Sequence, residues 1–594
     1  MITNLKKYLP YILITIAVIL LYWQNLWFEL IYLDDNIIIL DSFNVISSFS
    51  NITTAFNNSY LLNNYYRPIV IISFIIDTAI AGQSSMMYHF TNIILHVITS
   101  FLVYIFLLKF NSKKHIALFL SIFFSIHPFS TNAVSWIVGR NDILLALFSL
   151  SSILCFIKYL ENNKKYWIYL NILFYLLAMF SKETGIIVPV TALLYYMLFN
   201  KNYQKKITLL FVILTFGLPL SFYLFVRNVL SHSISNPINF AASINNLGII
   251  PESISKTILF FSLSFVSYKS DLFTIIGIIL ILALIIIFVL SKNLDHKIIL
   301  YGFSFFLIFT TPILFISIHP IKQGLIYLAC RLYLPLIGLL LVISGIINLI
   351  INYLPSRISV LIGVIFIVYS LTFSFSFNQY YKNGKSYWEK LVQTYPESSH
   401  VLSGISHYYY QKKKYDISLK YMENAIKLSP NEKGYYERAS EILNRKGDIK
   451  MAIDYLKKAI NFNLDNSINL GTIINYYLLI NEIDSAKVYS LKLINYNFNP
   501  EEKANVLASS ACLFYEKNEI AFAKRLFQNS LLYMDKSAHV WNYLSLIYNQ
   551  NSQYDSAFYC IVKALEIEPG NNGLIQNFNN LTKKNKYNPL FEIK

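Results

Sequence analysis

Charge is scarce in this sequence. Of 594 residues only 14% are Asp, Glu, Lys or Arg, 55% are hydrophobic and mean hydropathy is +0.48, which excludes an ordinary soluble protein of this size. Cysteine is equally sparse. Cys155, Cys330, Cys512 and Cys560 form no CxxC and no close spacing, so neither a zinc site nor a disulfide framework has support. A P-loop, GxSxG, HExxH and a DxD-like nucleotide–metal motif are all missing. No cofactor is expected, and no motif supports a divalent metal.

What the chain has in quantity is long apolar runs, which recur to about residue 377 and are long enough to cross a bilayer. Residues 1–384 carry 23 Lys/Arg and 11 Asp/Glu, whereas residues 385–594 carry 26 and 21 and have a soluble composition. Two domains follow: a membrane domain over 1–384 and a soluble one over 385–594. The net charge of +17 lies mostly in short loops of the membrane half, where the positive-inside rule accounts for it, so no nucleic-acid partner is expected. "MITNLKKYLPYILITIAVILLYWQNLW" has a basic start and an apolar core but no small-residue cleavage site, and reads as an uncleaved first span.

Eleven spans are expected, near 9–29, 88–109, 115–127, 133–157, 166–180, 184–199, 206–227, 272–291, 298–317, 332–353 and 358–377, with a re-entrant helix within 228–271. Alternating loops then hold 14 cations and two acids on one side, from Lys6 to Arg357, against eight isolated cations and nine acids on the other. That asymmetry puts the N-terminus inside and the soluble domain outside. Usage rich in Ile, Asn, Lys and Tyr suggests an AT-rich bacterium, hence an inner-membrane protein with a periplasmic C-terminal domain. Membrane lipid is its expected surrounding.

The unusual polar residues of the membrane half then gather on the outer side. "IYLDDNIIIL" places adjacent Asp34 and Asp35 beside apolar residues, as a general base with an orienting carboxylate or as a helix-entry acid at the membrane edge. Arg67 in "YYRP" either binds an anion or snorkels to the interface. "GRND" places Arg140 and Asp142 at the mouth of a span, where an internal ion pair is the alternative. Lys182 and Glu183 in "SKETG" fill a short hairpin, where a salt bridge is equally open. Arg331 in "YLACRLYLP" lies in an apolar run and needs an anion or a cavity. His89 and His96, seven apart, suggest one packed helix face.

Acids with Arg67, Arg140, Lys182 and Arg331 at an outer membrane surface suit a lipid-linked phosphosugar, whose phosphate sits at headgroup level. An aspartate would deprotonate an acceptor hydroxyl that attacks the anomeric carbon. The phosphate departs without a dedicated general acid.

The soluble domain repeats with a period of 34. "KKYDISLKYMENAIKLSP" (413–430) aligns with "KGDIKMAIDYLKKAINFN" (446–463), and further copies begin near 481, 518 and 552. Ser418, Ala452, Ala486, Ala523 and Ala557 share one position, and Ala425, Ala459 and Ala564 another, as the close helix crossings of tetratricopeptide repeats require. Five repeats over about 399–571 give an all-α solenoid. Its inner face is expected to present His400, His407, Tyr410, Glu437, Glu441, Asn444, Asn475, Asn505, Tyr515, His539, Asn542 and Asn549. The asparagines offer donor and acceptor to an extended protein or peptide acceptor.

"YLDDNIIIL", "YYRPIVIISF", "YHFTNIILHVITSFLVY", "HPFSTNAVSWIVGRNDILLALF", "SKETGIIV" and "CRLYLPLIGLL", in this order and followed by tetratricopeptide repeats, resemble the transmembrane-and-TPR O-mannosyltransferase family of the GT-C class. The resemblance covers nearly the whole chain. It implies an all-α polytopic GT-C-like domain and an inverting transferase that moves sugar from a polyprenyl-phosphate donor to a protein hydroxyl outside the cytoplasm. It also implies that Asp34 and Asp35 are catalytic and carries the "GR-x-D" pattern onto Arg140 and Asp142. The "KE" falls on Lys182 and Glu183, and the "R-x-Y-x-P" on Arg331, Tyr333 and Pro335. The repeats would recruit the acceptor. One departure stands out: many relatives read "HPxHTEAV" where this chain has Ser130 and Asn132. The competing class is a non-catalytic, membrane-anchored scaffold whose solenoid organises an envelope assembly.

Overall fold

The computed structural model describes residues 2–57, 65–110, 113–199, 208–230, 240–259, 266–267, 271–315, 327–353, 355–462, 467–496 and 498–585. Lys201, Lys205, Lys206, Lys269 and Lys322, which enter the charge pattern above, lie outside them. The chain forms two compact units, Met1–Val401 and Leu402–Lys594, and the division falls inside the helix Ser399–Gln411. Both are α-helical. Among the described residues the only strands are Val266–Ser267 and Tyr327–Leu328, paired antiparallel.

Each of the eleven expected spans coincides with a helix, but not every helix is long enough to cross. Eight are, with a ninth if Lys114–Ile126 and Pro128–Ser135 count as one span bent by 49°. The bend has a sequence cause: Pro128 starts a new helix, and the His127 ring nitrogen caps it by accepting the Phe129 N–H at 3.1 Å. Tyr166–Ser181 and Glu183–Phe199 are shorter apolar helices. Sixteen residues rise about 24 Å, less than a hydrocarbon core of about 30 Å. Among the described residues the count of eleven is therefore corrected to eight or nine full-length spans. Pro68–Ala81 is a further short apolar helix, outside the expected spans. Within 228–271 lies Ile249–Ile258, ten residues whose Glu252 and Lys256 pair in the interior. It packs so closely on Asp271–Leu290 that a Cβ at Gly277 would meet the Pro251 carbonyl.

Ile137–Asn162 is the hub, with 89% of its apolar window buried, whereas Ser356–Tyr381 has only 11% buried and lies at the lipid-facing periphery. The helices are locked beneath the loop after the first span by a closed polar ring. Asn25 donates to Ser135 at 3.0 Å, Ser135 to Asn378 and Asn378 back to Asn25 at 2.7 Å. All three side chains are buried, so each must find its bond within the ring.

In the second unit, Ser418, Ala452, Ala486, Ala523 and Ala557 are all 0% exposed, as are Ala425, Ala459 and Ala564. Larger side chains at these crossings would force the helices apart. Each helix pair is joined by a turn whose central residue is left-handed: Lys413, Gly447, Asn481, Asn518 and Ser552. After each, an N–H reaches the carbonyl five residues earlier, as in Lys414 to Tyr409 and Gln553 to Tyr548. Only Gly447 takes that conformation without a Cβ penalty. The turn spacings are 34, 34, 37 and 34, so the uniform period is corrected at one place. The extra residues lengthen Pro500–Glu516.

Candidate active site

The loop after the first span leaves it at Trp27 and folds back over the segment after Asn378. The Glu29 N–H donates to the Lys382 carbonyl at 2.9 Å, and the Trp388 indole N–H to the Ile31 carbonyl at 3.0 Å. Tyr32 turns left-handed at φ 59°, and the reversal is closed by Asp35. Its carboxylate accepts the Ile31 N–H at 2.6 Å and the Leu33 N–H at 3.0 Å and is 1% exposed. Burial pushes its pKa up to about 6, against the pull of those N–H groups. Asp35 is thus fully used in holding the loop.

Asp34 differs. It is half-buried, and among the described residues its carboxylate has no hydrogen-bond partner. Burial raises its pKa, while Arg67 and Arg331 pull it down. The adjacent pair is therefore divided: one carboxylate is a structural clasp, and the other faces the site unbonded. Of the two expected catalytic carboxylates, the structure commits Asp35 to the loop and leaves Asp34 open.

The four cations sort in the same way. Arg67 makes a two-pronged contact to Glu183, 3.1 and 2.9 Å to Oε2, and lies over the Tyr65 ring at 4.2 Å. Lys182 pairs with Asp142 at 2.6 Å. The two acids expected to support the site thus each hold a cation of another segment, and the local pairs Arg140–Asp142 and Lys182–Glu183 do not form. Arg140 is 0% exposed. It pairs with Asp77 at 2.6 Å, donates to Asn92, Ser73 and the Tyr88 carbonyl, and packs on the Phe74 ring. Its guanidinium is enclosed by these partners, so the structure places Arg140 in the interior, more enclosed than Arg67 or Lys182. Arg331 remains. It is partly exposed, and among the described residues it makes no ion pair or hydrogen bond.

Arg331 is aimed by its neighbours. Asn132 accepts the Cys330 N–H at 3.0 Å and donates to the Tyr381 hydroxyl, and the Cys330 thiol hydrogen-bonds Asp142. The departure from the family motif is thereby accommodated: Asn132 braces the segment that carries Arg331, and the Ser130 hydroxyl donates to the Phe124 carbonyl at 2.7 Å. Tyr333, expected as a supporting residue, is 0% exposed, with its hydroxyl on His96 at 2.6 Å. The structure places it in the helix packing, away from the open Asp34 carboxylate. Asp77, Trp388 and Asn92, which hold Arg140 and the first loop in place, are not singled out by the sequence reading. Only Asp77, an acid within an apolar helix, carries a visible signal, since such a charge requires a partner. Among the described residues no three His, Cys, Asp or Glu side chains are grouped to hold a metal ion.

On the solenoid, side chains one repeat apart bond each other along the face of the first helices. Tyr410 donates to Glu441 at 2.6 Å, Asn577 to Asn542 at 3.0 Å and Gln550 to Tyr515 at 2.8 Å, and Asn444 bonds the Tyr476 hydroxyl. Tyr410, Asn444 and Asn542 are thus partly committed to this ladder. Asn475, Asn505 and Asn549 have no side-chain bond among the described residues, and Asn505 is exposed.

Residues 68–231 match the family model for dolichyl-phosphate-mannose-protein mannosyltransferases, and residues 399–432 and 433–466 each match a tetratricopeptide repeat. The first match includes Arg140, Asp142, Lys182 and Glu183 but not Asp34, Asp35 or Arg331. Protein O-mannosyl-transferase TMTC1 of Homo sapiens is 30% identical over 152 residues, 24% of this chain and 17% of that protein. TMTC4 of Homo sapiens is 34% identical over 144 residues, 21% and 19% of the two chains. TMTC3 of Mus musculus is 27% identical over 187 residues, 30% and 20%. The matched stretches thus span a fifth or less of these curated relatives. In this chain a segment that matches the mannosyltransferase model thus precedes tetratricopeptide-repeat matches, and its long apolar helices mark an integral membrane protein.

Proposed function

We propose that this chain is an inverting glycosyltransferase that moves a sugar from a polyprenyl-phosphate donor to a hydroxyl of a protein acceptor. The observation that carries the reading is the partly buried Asp34 carboxylate, unbonded among the described residues and under the pull of Arg67 and Arg331. Arg331 binds the donor phosphate. Asp34 accepts the proton of the acceptor hydroxyl as its oxygen bonds the anomeric carbon on the face opposite the phosphate. The bond from that carbon to the phosphate oxygen breaks, and the polyprenyl phosphate leaves with the electron pair. The Arg67–Glu183 and Lys182–Asp142 pairs contribute a fixed field around this space, and Asp35 keeps Asp34 in place.

The outward-facing acids support an extracytoplasmic reaction, in a bacterial inner membrane with the repeats in the periplasm. The solenoid recruits the acceptor through Asn475, Asn505 and Asn549, beside Tyr410, Asn444 and Asn542. The test is transfer by the full chain in vesicles, from polyprenyl-phosphate mannose to a Ser/Thr peptide, beside Asp34→Asn. Loss of transfer in the folded variant supports the assignment. No donor consumption by the unaltered chain would leave the scaffold reading in its place.

A further inference from the structure

We propose that the membrane domain holds an anionic phospholipid in a groove between the helices Lys114–Ile126, Tyr333–Ile350 and Ser356–Asn378, with its headgroup at Lys114 and Arg357. The groove measures about 530 Å³ and is lined almost entirely by apolar side chains, among them Phe119, Ile122, Ile347, Ile351 and Gly363. Its depth comes from Gly363, where a Cβ would stand 3.5 Å from the Phe119 ring. It opens onto one of the two least buried spans of the domain, where Val360, Ile362 and Val364 are each more than half exposed. An empty cleft at that position would forfeit the dispersion contacts of its walls, and the molecules at hand to fill it are acyl chains.

Charge selects which lipid. At the end marked by His115 and Ser359, two helices begin, and their first turns bring Lys113, Lys114 and Arg357, all exposed. Lys114 and Arg357 form no ion pair among the described residues, whereas Lys109, five residues before Lys114, pairs with Glu161. Unneutralised cations at the mouth of an apolar groove, reinforced by two helix N-termini, complement a phosphate with chains beneath it.

The same three helices separate this site from the candidate active site. Asn132 follows the far end of the first, Arg331 precedes the second, and Tyr381 follows the third, so the mouth lies at the opposite ends of all three. Eighteen helical residues span about 27 Å, close to a hydrocarbon thickness. The headgroup therefore belongs to the other leaflet, and the occupant is a bilayer phospholipid, not the sugar donor.

Titration of the purified full-length chain with phosphatidylglycerol and with phosphatidylcholine of the same chains, read by native mass spectrometry, tests this. One phosphatidylglycerol should be retained at least tenfold more tightly. The double change Lys114→Gln with Arg357→Gln should weaken it by roughly 25-fold, since each basic side chain near an anionic surface contributes about fivefold, and leave phosphatidylcholine unchanged. Gly363→Leu fills the groove and should weaken both lipids, with the melting transition retained. Equal affinity for the two lipids, or full phosphatidylglycerol affinity in either variant, overturns the proposal.

Discussion

Exchanging Asp34 and Asp35 for Asn, one at a time, separates chemistry from architecture. Asp34→Asn breaks no side-chain hydrogen bond among the described residues, so stability should change by less than about 0.5 kcal/mol. If Asp34 is the base, turnover should fall by about 10²–10⁴-fold. Asp35→Asn sets two effects against each other. The amide accepts one of the two loop N–H groups but turns its NH₂ toward the other, which costs about 1–3 kcal/mol. Burial, however, holds the carboxylate at about 6 instead of 3.8, and that displacement corresponds to about 3 kcal/mol lost when Asp35 ionises. The charge penalty is the larger, so Asp35→Asn should be no less stable than the unaltered chain near pH 7.5. An acid with a raised pKa stabilises the fold while protonated. Its contribution is complete below about pH 4 and is lost as pH rises through about 6. The unaltered chain should lose stability across that window, and Asp35→Asn should lack the slope. Thermal unfolding in detergent between about pH 4 and 8, beside transfer assays at saturating donor, gives both readings. Equal, severe loss of turnover in two folded variants would refute the division of roles; wild-type turnover in both would remove the pair from the reaction.

Arg331→Ala should raise the donor KM at least tenfold with little effect on melting, since no bond is lost among the described residues. Because Arg331 lowers the Asp34 pKa, the acid limb of kcat/KM should move to higher pH; an unmoved limb would separate the two residues. Arg140→Ala leaves Asp77, 2% exposed, as a buried charge without its cation and should cost about 3–5 kcal/mol, measured as lost melting temperature. A folded Arg140→Ala with only a donor-binding defect would return Arg140 to the phosphate site. Asn475→Ala and Asn505→Ala should slow transfer to a long acceptor and spare a short peptide, because capture raises the local acceptor concentration to roughly millimolar; equal effects on both substrates would contradict recruitment.

The spans and the repeats were legible because both are written in local periodicity. Apolar runs of bilayer length and small residues at 34-residue intervals need no partner to be recognised. The division between Asp34 and Asp35 was not legible, since it depends on the left-handed turn at Tyr32, which the residue type does not announce. Nor were the pairings. Arg67 finds Glu183, Lys182 finds Asp142 and Arg140 finds Asp77 across long stretches of chain, and only the helix packing brings them together. Asp77 was the exception: its partner could not be named, but the need for one could. Tyr333 and Arg140 show the converse. Their motif position resembles a site, whereas their burial assigns them to the core.

These pairings bear on how the proposed reaction would be driven. A charge at the edge of a hydrocarbon layer is tolerable when neutralised nearby, and Glu183, Asp142 and Asp77 do this for Arg67, Lys182 and Arg140. Asp34 and Arg331 act on each other through their charges and form no ion pair among the described residues, so each could be engaged by a ligand without a salt bridge first being broken. A donor phosphate that pairs with Arg331 cancels part of the cation's pull on Asp34 and adds a negative charge of its own. Both changes raise the proton affinity of Asp34. The carboxylate is therefore a weaker base in the empty site and a stronger one when the donor is bound. Proton removal from the acceptor would then be favoured only when there is a sugar to receive the oxygen.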